Sequence, residues 1–117
     1  MTNRVVHFEI GGSDLDGAAN FFEQVFGWTS APYGQFGRSL SAETATAVTG
    51  HLAAIPDVPT PYVMVYIEVE SISETLEAIA EAGGEAVVGP LPMPDGGQFA
   101  WFKDISGNML GLLQNEA

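Results

Sequence analysis

Apolar residues recur along the chain at a spacing that predicts two amphipathic helices. The first runs from about Asp14 to Phe26 and the second from about Ile72 to Ala82, because apolar positions there fall every three or four residues. Ser13 can cap the first helix, and Ser71 with Glu74 forms a capping box at the start of the second. The apolar stripes are Leu15, Ala18, Ala19, Phe22, Val25 and Phe26 in the first helix, and Ile72, Leu76, Ile79 and Gly83 in the second. Each helix therefore has one face to bury.

A strand-like run precedes each predicted helix. VVHFEI (residues 5–10) comes before the first helix and YVMVYIEV (62–69) before the second. Shorter runs with β character follow the helices, at roughly residues 36–42, 46–55, 85–88, 98–103 and 108–114. The chain is therefore a tandem of two strand–helix–strands modules. The first covers about residues 1–55, a Pro-rich join covers 56–61, and the second covers about 62–117.

Alternation within the two leading strands separates polar from apolar side chains. His7 and Glu9 share one face of the first strand, and Met64, Tyr66 and Glu68 share one face of the second. The opposite faces consist of Val6, Phe8 and Ile10 in the first strand and Val63, Val65, Ile67 and Val69 in the second. The helices need an apolar surface to pack on, so we expect the Val/Ile/Phe faces to meet them. The polar faces then look either onto bulk water or into a cavity.

Composition narrows the possible partners. The chain has 117 residues, as expected for a single domain, with 15 acidic and three basic side chains and a formal net charge of −12. This balance argues against nucleic-acid binding, which needs clustered Lys and Arg. An acidic field attracts cationic ligands, although a solvated acidic surface accounts for the same composition. The absence of cysteine excludes disulfides and thiolate chemistry. With no apolar run near 18 residues, we expect a soluble, cytoplasmic protein without a membrane partner.

The order of these elements resembles the vicinal oxygen chelate superfamily, which includes glyoxalases, bleomycin resistance proteins and extradiol dioxygenases. The matching stretches are VHFEI leading into DLDGAANFFEQVFGW, then YIEVESISETLEAIAEAGG, and finally WFKDISGNMLGL. The last is similar to the family's Asp-Pro-x-Gly-Asn ending, with Ile105 where proline is usual. The resemblance implies an α+β fold, in which two tandem βαβββ modules form a curved, mostly antiparallel sheet with two helices on its convex side. It also implies a homodimer.

Metal-dependent members of that family bind a divalent ion through His or Glu side chains from four strands. His7 matches the first ligand position, and His51 is the only good donor near another, where spacing is loose. Met64 and Gly111 stand at the remaining two positions. A thioether is a poor ligand for hard divalent ions, and glycine has no side chain to offer. We therefore expect no conventional metal centre and no cofactor, with only weak divalent binding through His7 and His51 possible.

The resemblance favours a cavity on the polar face, and two functions are compatible with it. One is an enzyme of the glyoxalase, lyase or dioxygenase type acting on a small oxygen-rich molecule, with His7 as general base and Glu9 or Glu68 as acid. The other is sequestration of a small, cationic aromatic drug, as in the bleomycin-resistance branch. The residues expected to bind the ligand are His51, Met64, Tyr66, Glu68 and Trp101.

Overall fold

The structure is a computed structural model that describes residues 3–94 and 96–115. It contains seven strands and two helices in the order β1-α1-β2-β3-β4-α2-β5-β6-β7. The strands are β1 (Arg4–Gly11), β2 (Gly37–Leu40), β3 (Thr49–Ala53), β4 (Tyr62–Glu68), β5 (Glu85–Pro92), β6 (Gln98–Lys103) and β7 (Met109–Gln114). The helices are α1 (Leu15–Phe26) and α2 (Ile72–Glu81). Both predicted helices are confirmed to within a residue at each end.

The seven strands belong to a mixed sheet, in agreement with the predicted α+β class. Three of its pairings are antiparallel (β2–β3, β5–β6 and β6–β7), and two are parallel (β1–β3 and β4–β7). The strands that are described do not close into a barrel. After α1 the first module has two regular strands, and Thr29 and Pro32 add only isolated bridges to Ser41 and Arg38. Those bridges stand where the βαβββ pattern places a further strand.

The chain divides into two compact units, each with its own helix. One unit is His7–Val63 and carries α1, while the other comprises residues 3–6 and 64–115, apart from residue 95, and carries α2. The predicted join at 56–61 lies within the first unit. The assignment of the whole chain to one domain stays a prediction.

Helix α1 begins at a cap that the sequence placed one residue too early. Asp14, not Ser13, has the extended backbone of an N-cap, and its carboxylate accepts a hydrogen bond from the Gly17 amide at 3.0 Å. Gly27 ends the helix in the left-handed conformation, with φ of 72°, and its amide donates to the Glu23 carbonyl at 2.8 Å.

The core of the His7–Val63 unit lies between α1 and the apolar face of its strands. Ala19, Leu40 and Leu52 are buried there, and the partly buried side chains packed around them are Phe8, Ile10, Leu15, Ala18, Phe22 and Trp28. Phe8 and Ile10 confirm the predicted alternation of β1. Val25 and Phe26 were expected in the buried stripe, but they are 55% and 59% exposed. They lie on the last turn of α1, where the Phe26 ring contacts Trp28, with centroids 5.3 Å apart.

The second unit repeats this arrangement around α2. Ser71 caps the helix by accepting from the Glu74 amide at 3.2 Å, as the capping box predicted. The buried core comprises Val69, Ile72, Ala100, Phe102 and Leu112, with Ile67, Leu76, Ile79 and Leu110 packed against it. Ile67 and Val69 therefore face α2, as the alternation predicted, whereas Val63, which was expected on the same face, is 73% exposed.

A polar turn joins β6 to β7 at the DISGN segment. One oxygen of Asp104 accepts from the amides of Ser106 and Asn108 at 2.9 and 2.8 Å, and the other accepts from the Asn108 side chain at 2.9 Å. These hydrogen bonds, those from Asn108 first, lower the pKa of Asp104. Gly107 adopts a φ of 90°, which an L side chain rarely tolerates. Ile105 is 80% exposed, so the turn rests on its hydrogen bonds.

The α2 core gives a first test of the fold. Ile72 is 0% exposed, so Ile72→Ala removes a fully buried side chain and is expected to lower the free energy of unfolding by about 2–5 kcal/mol. The matched control is Ile105→Ala, the same substitution at a position 80% exposed, which should change it by less than about 0.5 kcal/mol. Urea unfolding of both variants measures the difference. Equal losses would contradict this placement of the core.

Candidate functional site

The parallel pairing of β1 with β3 brings together polar side chains that are far apart in sequence. In its register His7 lies opposite Thr49, and Glu9 lies opposite His51. Aligned residues of neighbouring strands project from the same face of a sheet, so these four side chains share a surface. Tyr62, at the start of β4, adds a fifth polar group.

These five residues form a continuous line of polar contacts, here named the histidine chain. His7 Nδ1 lies 2.7 Å from Thr49 Oγ1, and His7 Nε2 lies 2.7 Å from His51 Nδ1. On its other side, His51 Nε2 lies 3.4 Å from Glu9 Oε1. The Tyr62 hydroxyl donates to Glu9 Oε2. The order of groups is therefore Thr49, His7, His51, Glu9 and Tyr62.

Burial increases along the histidine chain from Thr49 to Glu9. Thr49 is exposed, the His51 side chain is 14% exposed and Glu9 is 1% exposed. A buried carboxylate is tolerated only with hydrogen-bond or ionic partners, which Tyr62 and His51 supply. Burial, followed by the contact with Glu9, raises the pKa of Tyr62. Tyr62 thus keeps its proton at neutral pH and acts as a donor to Glu9.

One aromatic ring, that of Tyr33, packs against the histidine chain. The Tyr33 ring lies against His51, with centroids 5.1 Å apart and planes inclined by 46°. This contact limits the tilt of the His51 imidazole, whose two nitrogens face His7 and Glu9. The orientation of His51 is therefore set from three directions.

The other unit contains three of the predicted ligand-binding residues, two of which are in direct contact. Trp101 Nε1 donates to the Tyr66 hydroxyl at 2.8 Å. Met64, Tyr66 and Trp101 are 3%, 3% and 7% exposed. Tyr66 pairs with Gly111 across β4 and β7, and its ring covers that glycine so closely that a Cβ there would lie 2.3 Å from ring carbons. The aromatic ring thus occupies the space in which a side chain at position 111 would begin.

Glu68 has partners of its own. Arg4 Nη2 donates to Glu68 Oε1 at 3.1 Å, and the Asn115 amide donates to Oε2 at 2.6 Å. The hydrogen bonds from Arg4 and then Asn115 lower the pKa of Glu68. Because Glu68 is ionised at neutral pH, it is poorly suited to the role of proton donor that the sequence suggested as one option. The role assigned to Glu9 stays a prediction.

The arrangement of His7, His51 and Glu9 does not fit the four-ligand metal centre that the family resemblance describes. Two imidazole nitrogens on one zinc ion lie roughly 3.3 Å apart, given bonds of about 2.05 Å and tetrahedral angles. His7 Nε2 and His51 Nδ1 are 2.7 Å apart and share a hydrogen bond. The Glu9 carboxylate lies beside the other ring nitrogen of His51, Nε2. The two histidines and one glutamate therefore form a line and do not converge on a point. Across residues 3–94 and 96–115, no three His, Cys, Asp or Glu side chains are grouped to hold a metal.

Comparison with known proteins identifies the family. The family model described as Glyoxalase/Bleomycin resistance protein/Dioxygenase superfamily matches residues 4–112. The chain therefore belongs to this superfamily, as its motifs indicated. It is also 28% identical over 116 residues to a glyoxylase-like domain-containing protein of Didymella fabae, covering 92% of this chain and 91% of that protein.

Solved structures support the fold. Methylmalonyl-CoA epimerase from Mycobacterium tuberculosis aligns with a TM-score of 0.75 at 14% identity, covering 97% of this chain and 88% of the epimerase. A variant of the Streptomyces coelicolor methylmalonyl-CoA epimerase in complex with 2-nitronate-propionyl-CoA aligns with a TM-score of 0.71 at 16% identity. That alignment covers 100% of this chain and 97% of the other. At such identities the likeness is one of fold.

The structure joins several predicted site residues and adds others. His7, Glu9 and His51 lie in the histidine chain. Tyr66 and Trp101 contact each other in the other unit, where Met64 is also buried. The functional roles assigned to all of them stay predictions. Thr49, Tyr62 and Tyr33 were missed by the sequence reasoning. The signal for Thr49 was available, because Thr49 and His51 are two residues apart on a strand, as His7 and Glu9 are.

No described helix is long and apolar enough to cross a membrane.

The close packing of Tyr66 on Gly111 predicts an intolerant glycine. Gly111→Ala is expected to lower the free energy of unfolding by about 1–3 kcal/mol, because the new methyl group meets a buried ring. Gly12→Ala is the control, since nothing lies within 4 Å of a Cβ built there, and it should cost less than about 0.5 kcal/mol. Chemical denaturation compares the two. A Gly111→Ala protein as stable as the parent would show that Tyr66 does not fill this space.

The ion pair of Glu68 predicts a specific dependence of stability on pH. Its pKa is lower in the folded than in the unfolded protein, so its contribution is present above the unfolded value, near 4.5, and is lost as pH falls through the folded value. The stability difference between the parent and Glu68→Gln should thus be constant near pH 7 and shrink below about pH 4.5. Arg4→Gln removes the hydrogen bond that lowers the pKa of Glu68 most, so it should weaken the pH dependence of this stability difference. Unfolding curves at several pH values and low salt measure it; a difference that grows towards acid pH would refute the assignment.

Proposed function

We propose that this chain is a small-molecule enzyme of the glyoxalase-like superfamily that uses His7 as a general base to remove a proton from its substrate. The observation that supports this most is the histidine chain, in which an imidazole at the more accessible end connects to a carboxylate that is 1% exposed. Histidine is the side chain whose ordinary pKa suits proton transfer near neutral pH. A line of contacts behind it gives the abstracted proton somewhere to go.

The proposed reaction is of the lyase or isomerase type. A base of imidazole strength can remove a proton next to a carbonyl group, and the proton can return to a different atom or from a different side. Dioxygenation would need ligands that converge on a redox-active metal, as in a two-histidine, one-carboxylate site. His7, His51 and Glu9 are the right residue types for such a site, but their linear arrangement does not match it. Any binding of divalent ions through His7 and His51 is accordingly proposed to be weak.

The proposed substrate is neutral or cationic. The net charge of −12 repels anions at long range, and only three basic side chains are available to receive one. Arg4 is paired with Glu68, and Arg38 donates through Nε and Nη2 to Ser30 Oγ at 3.2 Å. The coenzyme A esters bound by the structurally similar epimerases carry several phosphates. We therefore propose a small, neutral or cationic carbonyl compound and not a coenzyme A ester.

The second candidate function is sequestration of a cationic aromatic molecule without turnover. The acidic composition favours it, and Tyr66 and Trp101 are the residue types that stack on such ligands. Against it, both aromatic side chains are almost fully buried and their polar atoms are bonded to each other. Cytoplasmic location and pairing into a homodimer remain proposals alongside either function.

Proton abstraction can be tested before the natural substrate is known. A panel of neutral aldehydes and ketones is incubated with the protein in D2O, and loss of the signals of protons beside the carbonyl is followed by NMR. The parent is expected to catalyse exchange of at least one compound. His7→Gln should lower that rate by about 10²–10⁴-fold, the usual contribution of a general base. Glu77→Gln, on the exposed face of α2, is the control and should exchange at the parental rate.

Three outcomes would contradict the proposal. If His7→Gln exchanges as fast as the parent, His7 is not the base. If EDTA abolishes exchange and manganese or nickel restores it, the activity depends on a metal. If no compound exchanges, but cationic aromatic compounds raise the melting temperatures of the parent and of His7→Gln equally, the protein sequesters its ligand without turnover.

A further inference from the structure

The histidine chain has more groups than a single base requires, and their order suggests a role for each. We propose that it is a proton relay, in which His51 passes the proton taken up by His7 to the buried carboxylate of Glu9. This inference rests on the proposed function of His7 and extends it to two residues that do not touch the substrate. His51 and Glu9 are, on this proposal, positioning and relay residues.

The contacts indicate where the protons lie at rest. Tyr62 donates to Glu9, so the carboxylate acts as an acceptor. His51 Nε2 then carries a proton directed towards Glu9, which leaves His51 Nδ1 as an acceptor. His7 Nε2 consequently carries the proton between the two rings, and His7 Nδ1 accepts from the Thr49 hydroxyl. Both imidazoles are neutral in this arrangement, and both are protonated on Nε2.

This resting state makes His7 Nδ1 the basic atom. A substrate that displaces the Thr49 hydroxyl delivers its proton to that nitrogen. His7 then passes its Nε2 proton to His51 Nδ1, and His51 passes its Nε2 proton to Glu9 Oε1. One proton has entered, the carboxylate has become neutral, and each imidazole has exchanged one tautomer for the other. Reversal of the same steps returns a proton to the substrate.

Burial supplies a reason for this direction of transfer. Glu9 is 1% exposed, and an ionised carboxylate in such a place costs free energy that protonation removes. The relay therefore leaves no charge on either imidazole at the end of the transfer. The 3.4 Å separation of His51 Nε2 and Glu9 Oε1 is its longest link; it is an ion-pair contact that must shorten to become a hydrogen bond before a proton can pass, as catalytic contacts commonly do when substrate binds. Tyr62 fixes the other oxygen of Glu9 and so directs Oε1 towards His51.

The resting tautomers can be observed without any substrate. The protein contains only two histidines, so labelling with ¹⁵N-histidine yields four ring-nitrogen signals that can be assigned with His7→Gln and His51→Gln. Spectra are recorded at pH 8 after dialysis against EDTA. We expect both rings to carry their proton on Nε2. A proton on Nδ1 of either ring would overturn the proposed relay, whatever the activity of the protein.

Kinetics then test whether the chain acts as a unit. In the deuterium-exchange assay, His51→Gln and Glu9→Gln are each expected to lower the rate at least about tenfold, and the double variant should be no slower than the worse single one. Tyr62→Phe provides a milder variant if Glu9→Gln is unstable, and it should also slow exchange while leaving the apparent affinity unchanged. The relay would be refuted if the rate losses of His51→Gln and Glu9→Gln multiplied in the double variant. It would also be refuted if His51→Gln, Glu9→Gln and Tyr62→Phe all exchanged at the parental rate. Either result would leave the general-base proposal intact.

Discussion

The contact of Glu9 with Tyr62 and His51 is the constraint around which the His7–Val63 unit is organised. A carboxylate that is 1% exposed must be given partners, and those partners come from two other strands. The parallel register of β1 and β3 places His51 beside Glu9, and a shift of one residue would turn His51 to the opposite face. The electrostatic requirement of one side chain thus fixes the alignment of the strands that carry the candidate chemistry.

The local features of the fold could be read from the sequence because they depend on neighbours along the chain. Helical spacing located α1 and α2, and alternation in β1 and β4 correctly assigned Phe8, Ile10, Ile67 and Val69 to the helix-facing sides. The cap of α1 was misplaced by one residue because Ser13 and Asp14 are both good caps and only backbone geometry separates them. Val25 and Phe26 fit the stripe by spacing, but spacing does not tell how far the underlying strands extend.

The site was only half predictable, for a different reason. Alternation placed His7 with Glu9, but which strand lies beside β1 is a long-range property that periodicity does not encode. The direct contact between His7 and His51 joins residues 44 positions apart, and that of Tyr62 with Glu9 joins residues 53 apart. Family resemblance selected His7 and His51 as the donors left for weak divalent binding, without predicting that they touch. The structure aligns them in series, so the same two residues suggest a different chemistry.

The packing of Tyr66 on Gly111 has a consequence for how this protein can change over time. A carboxylate at position 111 has no room while the ring is present, so the ring would have to be replaced by a smaller side chain first. That first replacement would leave a cavity and remove the hydroxyl that accepts from Trp101 Nε1, without any immediate gain. A carboxylate at position 111, where the resemblance places the family's terminal metal ligand, therefore requires two coordinated substitutions that pass through a less stable intermediate.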